Sequence, residues 1–167
     1  MAELISQLLS MTRLDQGTEG THLEKTDMGE LIKSMCGEQA WDKERLILNI
    51  KDGIISEVDP ILMSRLIQNL IENAFKYGKP DGHVWVSLDR KNNETVLSVK
   101  DDGIGIAPEQ QDKVWQRFYQ VDPSRSGEGG AGLGLSMVKQ IARLHGGYMT
   151  LESENGKGST FTLHLPE

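Results

Sequence analysis

Three groups of residues in this chain combine types and spacing that do chemistry. The first is Val99-Lys100-Asp101-Asp102-Gly103-Ile104-Gly105-Ile106, an apolar strand that runs into two carboxylates and then two glycines one residue apart. The two-residue period of a strand puts Leu97, Val99 and Asp101 on one face, so a core-facing Asp101 must find hydrogen-bond donors. The exocyclic amine of an adenine is such a donor, and Gly103 and Gly105, lacking Cβ, let the backbone pass close to a flat ring or turn sharply above it. The second group, Asn69, Asn73 and Lys76, is spaced four and three residues apart, so the three share a helix face and converge on one ligand. An amide oxygen completes the oxygen shell of Mg2+ beside waters and phosphates, and an ammonium pairs a phosphate. Asparagine is a weak helix former that is costly to bury unpaired, so two of them midway in an apolar helix point to a ligand. The third group is Gly127-Glu128-Gly129-Gly130-Ala131-Gly132-Leu133-Gly134-Leu135, where a loop becomes a helix and backbone amides form an anion site. Gly127, Gly129 and Gly132 match a dinucleotide-type pattern, but no strand precedes them, and Gly156-Lys157 is followed by Gly158 rather than the Ser or Thr of a phosphate-binding P-loop.

Elements that position these groups follow from the periodicity. Asp59-Pro60 is a capping carboxylate followed by proline at the first turn, opening a helix from Ile61 to Tyr77 that carries the asparagines. Thr21 to Thr26 reads as a short edge strand, and Asp27 caps a helix burying Met28, Leu31, Ile32 and Met35. Arg45 to Ile50 and Gly53 to Val58 read as strands around the turn Lys51-Asp52-Gly53. Val84 to Leu88 pairs through Asn92-Asn93 with Thr95 to Asp101, and Pro108 to Arg117 is a short helix. Tyr119 to Gly132 reads as a loop without a buried period, and Leu133 to His145 as a helix with Leu133, Met137, Val138 and Ile141 inward. Tyr148 to Ser153 and Ser159 to Leu165 close the chain as a hairpin around Asn155-Gly156-Lys157-Gly158. Residues 3 to 14 place Leu4, Ile5, Leu8, Leu9 and Met11 at helical spacing, in a segment short enough to need a partner. The expected fold is an α/β two-layer sandwich: a mixed sheet of about five strands packed on about three helices, with an N-terminal helix remnant.

Composition bounds the class. At 167 residues, 37% hydrophobic, the chain makes one domain with an appendage. Its formal net charge of −7 argues against a nucleic-acid partner, which demands clustered Lys and Arg. Cys36 is the only cysteine, which excludes an internal disulfide and suits a reducing cytosol. No apolar run approaches the roughly 18 residues a membrane span needs, as would also hold for a soluble fragment of a larger membrane protein.

Together these motifs resemble the catalytic and ATP-binding domain of sensor histidine kinases, in the superfamily shared with gyrase and the heat-shock and mismatch-repair ATPases. The resemblance runs from about Thr21 onward through four ordered motifs: Asn69 to Tyr77, Asp101 to Gly105, Gly130 to Gly134, and Gly156-Lys157-Gly158-Ser159-Thr160-Phe161. It implies a Bergerat-type sandwich holding ATP between the asparagine helix and a lid over Tyr119 to Ala131. Asp101 would accept from the adenine amine beside Gly103 and Gly105, and Ser159 would hydrogen-bond toward adenine. Asn73 would ligate Mg2+, Lys76 and Tyr77 would line the site, and the amides around Gly130, Gly132, Leu133 and Gly134 would meet phosphates. Arg117 and Arg125 lie where such kinases place arginines suited to γ-phosphate charge. Trp115 stands before Phe118 where the family's phenylalanine box has Phe. Hydrolytic relatives carry a water-activating glutamate where this chain has Asn69, and an amide cannot take a proton from water, which favours transfer to a protein acceptor.

None of His22, His83, His145 and His164 is followed by the acidic residue that flanks the family's phosphoacceptor. The acceptor is therefore expected upstream, on a dimerisation hairpin whose last turns are residues 3–14; residues 1–20 are then the end of that helix plus a short linker at Gly17 to Gly20, and residues 21–167 the catalytic domain. The resemblance further implies a homodimeric parent, a response regulator as partner, and a cytoplasmic location as part of a membrane-anchored sensor. Two other readings use the same fold: an ATP-sensing interaction module without phosphotransfer, and a serine kinase of the anti-sigma type.

Overall fold

The computed structural model describes residues 22–116 and 134–166. Several expectations lie outside these described residues: the helix over residues 3–14 and its linker, Arg117, Phe118, the Tyr119 to Ala131 segment with Arg125 and Gly130, and Gly132 and Leu133. In chain order the elements are β1 (Glu24–Asp27), α1 (Met28–Glu38), β2 (Leu46–Ile50), β3 (Ile55–Val58), α2 (Pro60–Tyr77), β4 (Val84–Lys91) and β5 (Glu94–Asp101). Two 3₁₀ turns (Pro108–Gln110 and Lys113–Trp115) precede α3 (Gly134–Leu144), β6 (Tyr148–Glu154) and β7 (Gly158–Pro166).

Helix starts follow the capping residues. The Asp27 side chain accepts from the Glu30 N–H, and the Asp59 side chain from those of Ile61 and Leu62, so both expected caps form. Asn92 and Asn93 both have positive φ, 52° and 62°, the conformation a two-residue hairpin turn demands and asparagine tolerates. That turn sets the β4–β5 register, with Val84 opposite Asp101 and Leu88 opposite Leu97.

Five strands form a mixed sheet in the order β2-β4-β5-β7-β6, parallel between β2 and β4 and antiparallel elsewhere. One face is core: Val84, Val86, Leu88, Leu97, Val99, Phe161, Leu163 and Leu165 alternate into it and are buried. Opposite them lie Met63, Leu66, Ile67, Leu70 and Ile71 of α2, with Met137, Val138 and Ile141 of α3. The strand carrying Asp101 is thus the central one, and α2 packs across it. This is the α/β sandwich expected from the sequence.

Two local expectations are corrected. Strands β2 and β3 do not pair: β2 joins the main sheet beside β4, whereas β3 makes a separate two-stranded sheet with β1. After Gly53, at φ 77°, the Ile54 carbonyl accepts from the Met28 N–H, and Ser56 Oγ meets Thr95 Oγ1 at 2.7 Å, which fastens the small sheet to the large one. The segment after Ile106 is two 3₁₀ turns rather than one helix. Gln111 and Gln116 close i→i+3 bonds onto Pro108 and Lys113, and neither turn has a side-chain cap to extend it.

Candidate functional site

Asp101 ends the central strand with its side chain turned into the core, 5% exposed. Its Oδ1 accepts from the Gly103 N–H at 2.9 Å, and the Ser159 backbone N–H supplies a second bond. Burial pushes the Asp101 carboxyl up; those two amides pull it back, the charge of Asp102 beside it pushes the same way as burial, and the net is a value of about 6. Near neutral pH it is an ionised, desolvated acceptor at the bottom of a cleft. Asp102 faces elsewhere, accepting from the His83 N–H at 3.1 Å and lying against Gly82.

The close approach that the glycines permit is to the chain itself. A Cβ on Gly103 would run into the Tyr77 carbonyl oxygen, and one on Gly105, whose φ is 73°, into the Glu154 carbonyl oxygen. Gly103 thus draws the end of β5 against the end of α2, and Gly105 draws the following loop onto the β6–β7 turn, where the Gly156 N–H donates to the Ile104 carbonyl at 2.7 Å.

Between these walls lies an open cleft of about 370 Å³, a volume that takes in the solvent at its mouth, lined by Asn73, Tyr77, Asp101, Ile104, Gly105, Ile106, Leu135, Ser159 and Phe161. Five expected site residues, Asn73, Tyr77, Asp101, Gly105 and Ser159, are therefore brought together. Gly103 sits behind Asp101 instead of in the lining. Gly134 begins α3 close to Asn69: a Cβ there would lie 3.5 Å from the Asn69 amide oxygen. Asn69 Nδ2 in turn lies 3.9 Å from Met137 Sδ, so this asparagine meets α3 instead of the cleft lining. Lys76 is likewise outside the lining, its Nζ 5.2 Å from the centroid of the Tyr77 ring.

Four apolar lining residues, Ile104, Ile106, Leu135 and Phe161, were not among the expected site residues. A signal for them exists in hindsight: Ile104 and Ile106 alternate with the glycines, and Leu135 and Phe161 each follow a glycine motif. They make the lining around the Asp101 acceptor mostly apolar, as a planar heterocycle requires. Trp115 meets Phe161 edge-on, with ring centroids 5.5 Å apart, and so backs that lining.

Among the described residues no group of three or more His, Cys, Asp and Glu is placed to hold a metal ion. Asn73 lines the cleft and has one amide oxygen to offer, enough for one position of an octahedral Mg2+ shell and too little to retain the ion alone. The residues therefore fit a metal that arrives with a phosphate chain. Among the described residues no helix is long and apolar enough to cross a membrane.

Residues 58–167 match the family model described as "Histidine kinase-, DNA gyrase B-, and HSP90-like ATPase". The chain is 35% identical over 169 residues to the sensor protein SrrB of Staphylococcus aureus (strain NCTC 8325 / PS 47), covering 98% of this chain but 29% of SrrB. It thus spans under a third of that relative's length. The solved mycobacterial sensor histidine kinase MprB is 26% identical with a TM-score of 0.73, over 86% of this chain and 97% of that one. The structure of full-length ShkA in complex with AMPPNP has the same fold, with a TM-score of 0.84 at 22% identity over 98% of this chain and 35% of that one.

Proposed function

The chain belongs to the family of histidine kinase-, DNA gyrase B- and HSP90-like ATPases, and on that premise we propose that it is the ATP-binding catalytic domain of a two-component sensor histidine kinase. The observation that carries this reading is the Asp101 carboxyl group, buried at the base of a cleft with apolar walls, beside Asn73. Adenine enters between Ile104, Ile106, Leu135 and Phe161, its 6-amino group donates to Asp101, and Ser159 completes the polar edge. Asn73 would hold Mg2+ through its amide oxygen, and the ion would spread the charge of the triphosphate it accompanies. Tyr77 lines the nucleotide cleft, the Lys76 ammonium beside it would pair a phosphate, and Arg117, Arg125 and the amides of Gly130, Gly132, Leu133 and Gly134 would neutralise the transferring phosphoryl group. Asn69 occupies the place of a water-activating base without being able to act as one, so the γ-phosphoryl passes to a protein nucleophile.

The acceptor is a histidine on a dimerisation hairpin, and a response regulator receives the phosphoryl group from it; the parent is a homodimer whose cytoplasmic portion includes this chain. Support comes from the likeness to SrrB and MprB and from the placement of two of this chain's four histidines. His145 is held between the Ile141 carbonyl and the Asp59 N–H, and His164 lies against Tyr148, Thr150 and Glu94, so both are engaged away from the cleft.

The test mixes the chain with Mg-ATP labelled at the γ-phosphate and a sensor-kinase hairpin carrying an acceptor histidine. Label on the hairpin is expected. Binding of ATP without transfer would instead identify a sensing module, and label on a histidine of this chain would overturn the division into donor and acceptor. In parallel, Asn73→Ala should remove the Mg2+ dependence of ATP binding, measured by calorimetry with and without the ion.

A further inference from the structure

Two serines face each other where the β6–β7 turn closes over the cleft. Ser153 and Ser159 are paired in register, and their hydroxyl oxygens are 2.8 Å apart. Ser153 Oγ has two more partners: it accepts from the Ile106 N–H at 2.7 Å and donates to the Gly158 carbonyl at 2.9 Å. A hydroxyl has one proton and two lone pairs. The carbonyl can take only the proton and the N–H only a lone pair, so the contact with Ser159 uses the remaining lone pair, and Ser159 is the donor. Its proton is thereby turned away from the cleft. The Ser159 oxygen, on a side chain 6% exposed that lines the cleft, presents lone pairs only.

We propose that Ser153, which does not itself line the cleft, positions the Ser159 hydroxyl so that Asp101 and Ser159 both present acceptors to the cleft, and that this sets a preference for 6-amino over 6-keto purines. The inference rests on the nucleotide reading above and deepens it. An amino-purine edge brings two N–H protons to the Asp101 and Ser159 oxygens, whereas a keto-purine edge brings one proton and adds an oxygen that faces acceptors. Unpaired acceptors in a desolvated site discriminate strongly. The Gln111 side chain reinforces the arrangement by donating to the Ile106 and Ser153 carbonyls at 2.9 and 3.1 Å, so the loop that supplies the Ile106 N–H is tied to β6.

The experiment measures ADP and IDP binding to the chain by calorimetry; IDP differs in carrying the 6-keto group with a proton on N1. IDP should bind the parent about tenfold more weakly than ADP, the scale of one missing hydrogen bond to a charged group. In Ser153→Ala the freed Ser159 proton can turn inward, and the ratio should narrow by roughly threefold or more. Ser153→Thr, which keeps the hydroxyl, should restore it, and in a Ser159→Ala background Ser153→Ala should leave the ratio where it was. A purely structural role would weaken both ligands together, so a ratio unchanged in Ser153→Ala overturns the proposal, as does a parent that does not distinguish the two. Should Ser153→Ala fail to fold, Ser153→Cys, similar in size and a poor hydrogen-bonding partner, must narrow the ratio in its place. A parent that binds neither diphosphate overturns the nucleotide reading itself.

Discussion

Asp59 and Asp101 are aspartates at the ends of regular elements, 7% and 5% exposed, and their carboxyls are displaced in opposite directions. Burial pushes Asp59 up, but the N–H groups of His22, Leu62 and Ile61 outweigh it, with His145 nearby acting in the same direction, and the group ends below the ordinary carboxylate range. Asp101 lies deeper, has the amides of Gly103 and Ser159 only, and has Asp102 beside it, so it ends above that range, at about 6. The difference teaches what makes a buried carboxylate structural or functional. Asp59 is used up by its own chain, closing a helix start and accepting from His22 at 3.0 Å. Asp101 keeps acceptor capacity, at a cost in desolvation that a ligand's N–H groups would offset.

Exchanging the two behaviours by mutation sharpens that contrast. The largest expected effect is at Asp101: Asp101→Asn should weaken ATP by about 1.5 to 3 kcal/mol, or roughly ten- to a hundredfold, the worth of a hydrogen bond to a charged group. Equal affinities of mutant and parent by calorimetry would break the assignment. At Asp59 the effect should fall on stability instead. Asp59→Ala should cost about 1 to 2 kcal/mol in urea unfolding through the lost helix cap, with nucleotide affinity unmoved.

Titration gives the smaller pair of effects. The raised Asp101 value means that the folded chain binds the extra proton between 3.8 and about 6, so this group contributes stability at low pH that is lost as pH rises through about 6. Nucleotide affinity should run the other way, falling as pH drops below about 6 because protonation removes the carboxylate's charge and leaves a weaker acceptor, and Asp101→Asn should flatten that profile. For Asp59 the sign reverses: its contribution is present above 3.8 and is lost as pH falls through a still lower folded value. Unfolding curves of the two mutants between pH 3 and 7 would therefore diverge from the parent in opposite senses; parallel curves would mean that the two carboxylates do not differ.

Much of the site was legible because it rests on short-range rules. Period two along Leu97, Val99 and Asp101 is enough to turn that carboxylate inward, and Asp59-Pro60 is enough to start the helix that carries Asn73. Spacing alone was less reliable for that helix face. Asn69, Asn73 and Lys76 do lie along it, yet only Asn73 lines the cleft, because the start of α3 comes down beside Asn69 and the Lys76 ammonium lies by the Tyr77 ring. Gly103 lets the backbone pass close to a ring or turn sharply, and in the fold the group that comes close to it is the Tyr77 carbonyl. A missing Cβ marks a close approach without saying what approaches.

From its residues alone the chain determined its helix caps, the inward face of each strand, the Asn92-Asn93 turn and the order of the nucleotide motifs, because each depends on dihedral preference or side-chain period within a few neighbours. Tertiary structure decided which strands pair across the β2 and β3 turn, which of three aligned polar residues reaches the cleft, and that Ser153 directs the proton of Ser159. Those outcomes depend on groups distant in sequence competing for the same space and the same hydrogen-bonding atoms, and such competition is resolved only when the chain is packed.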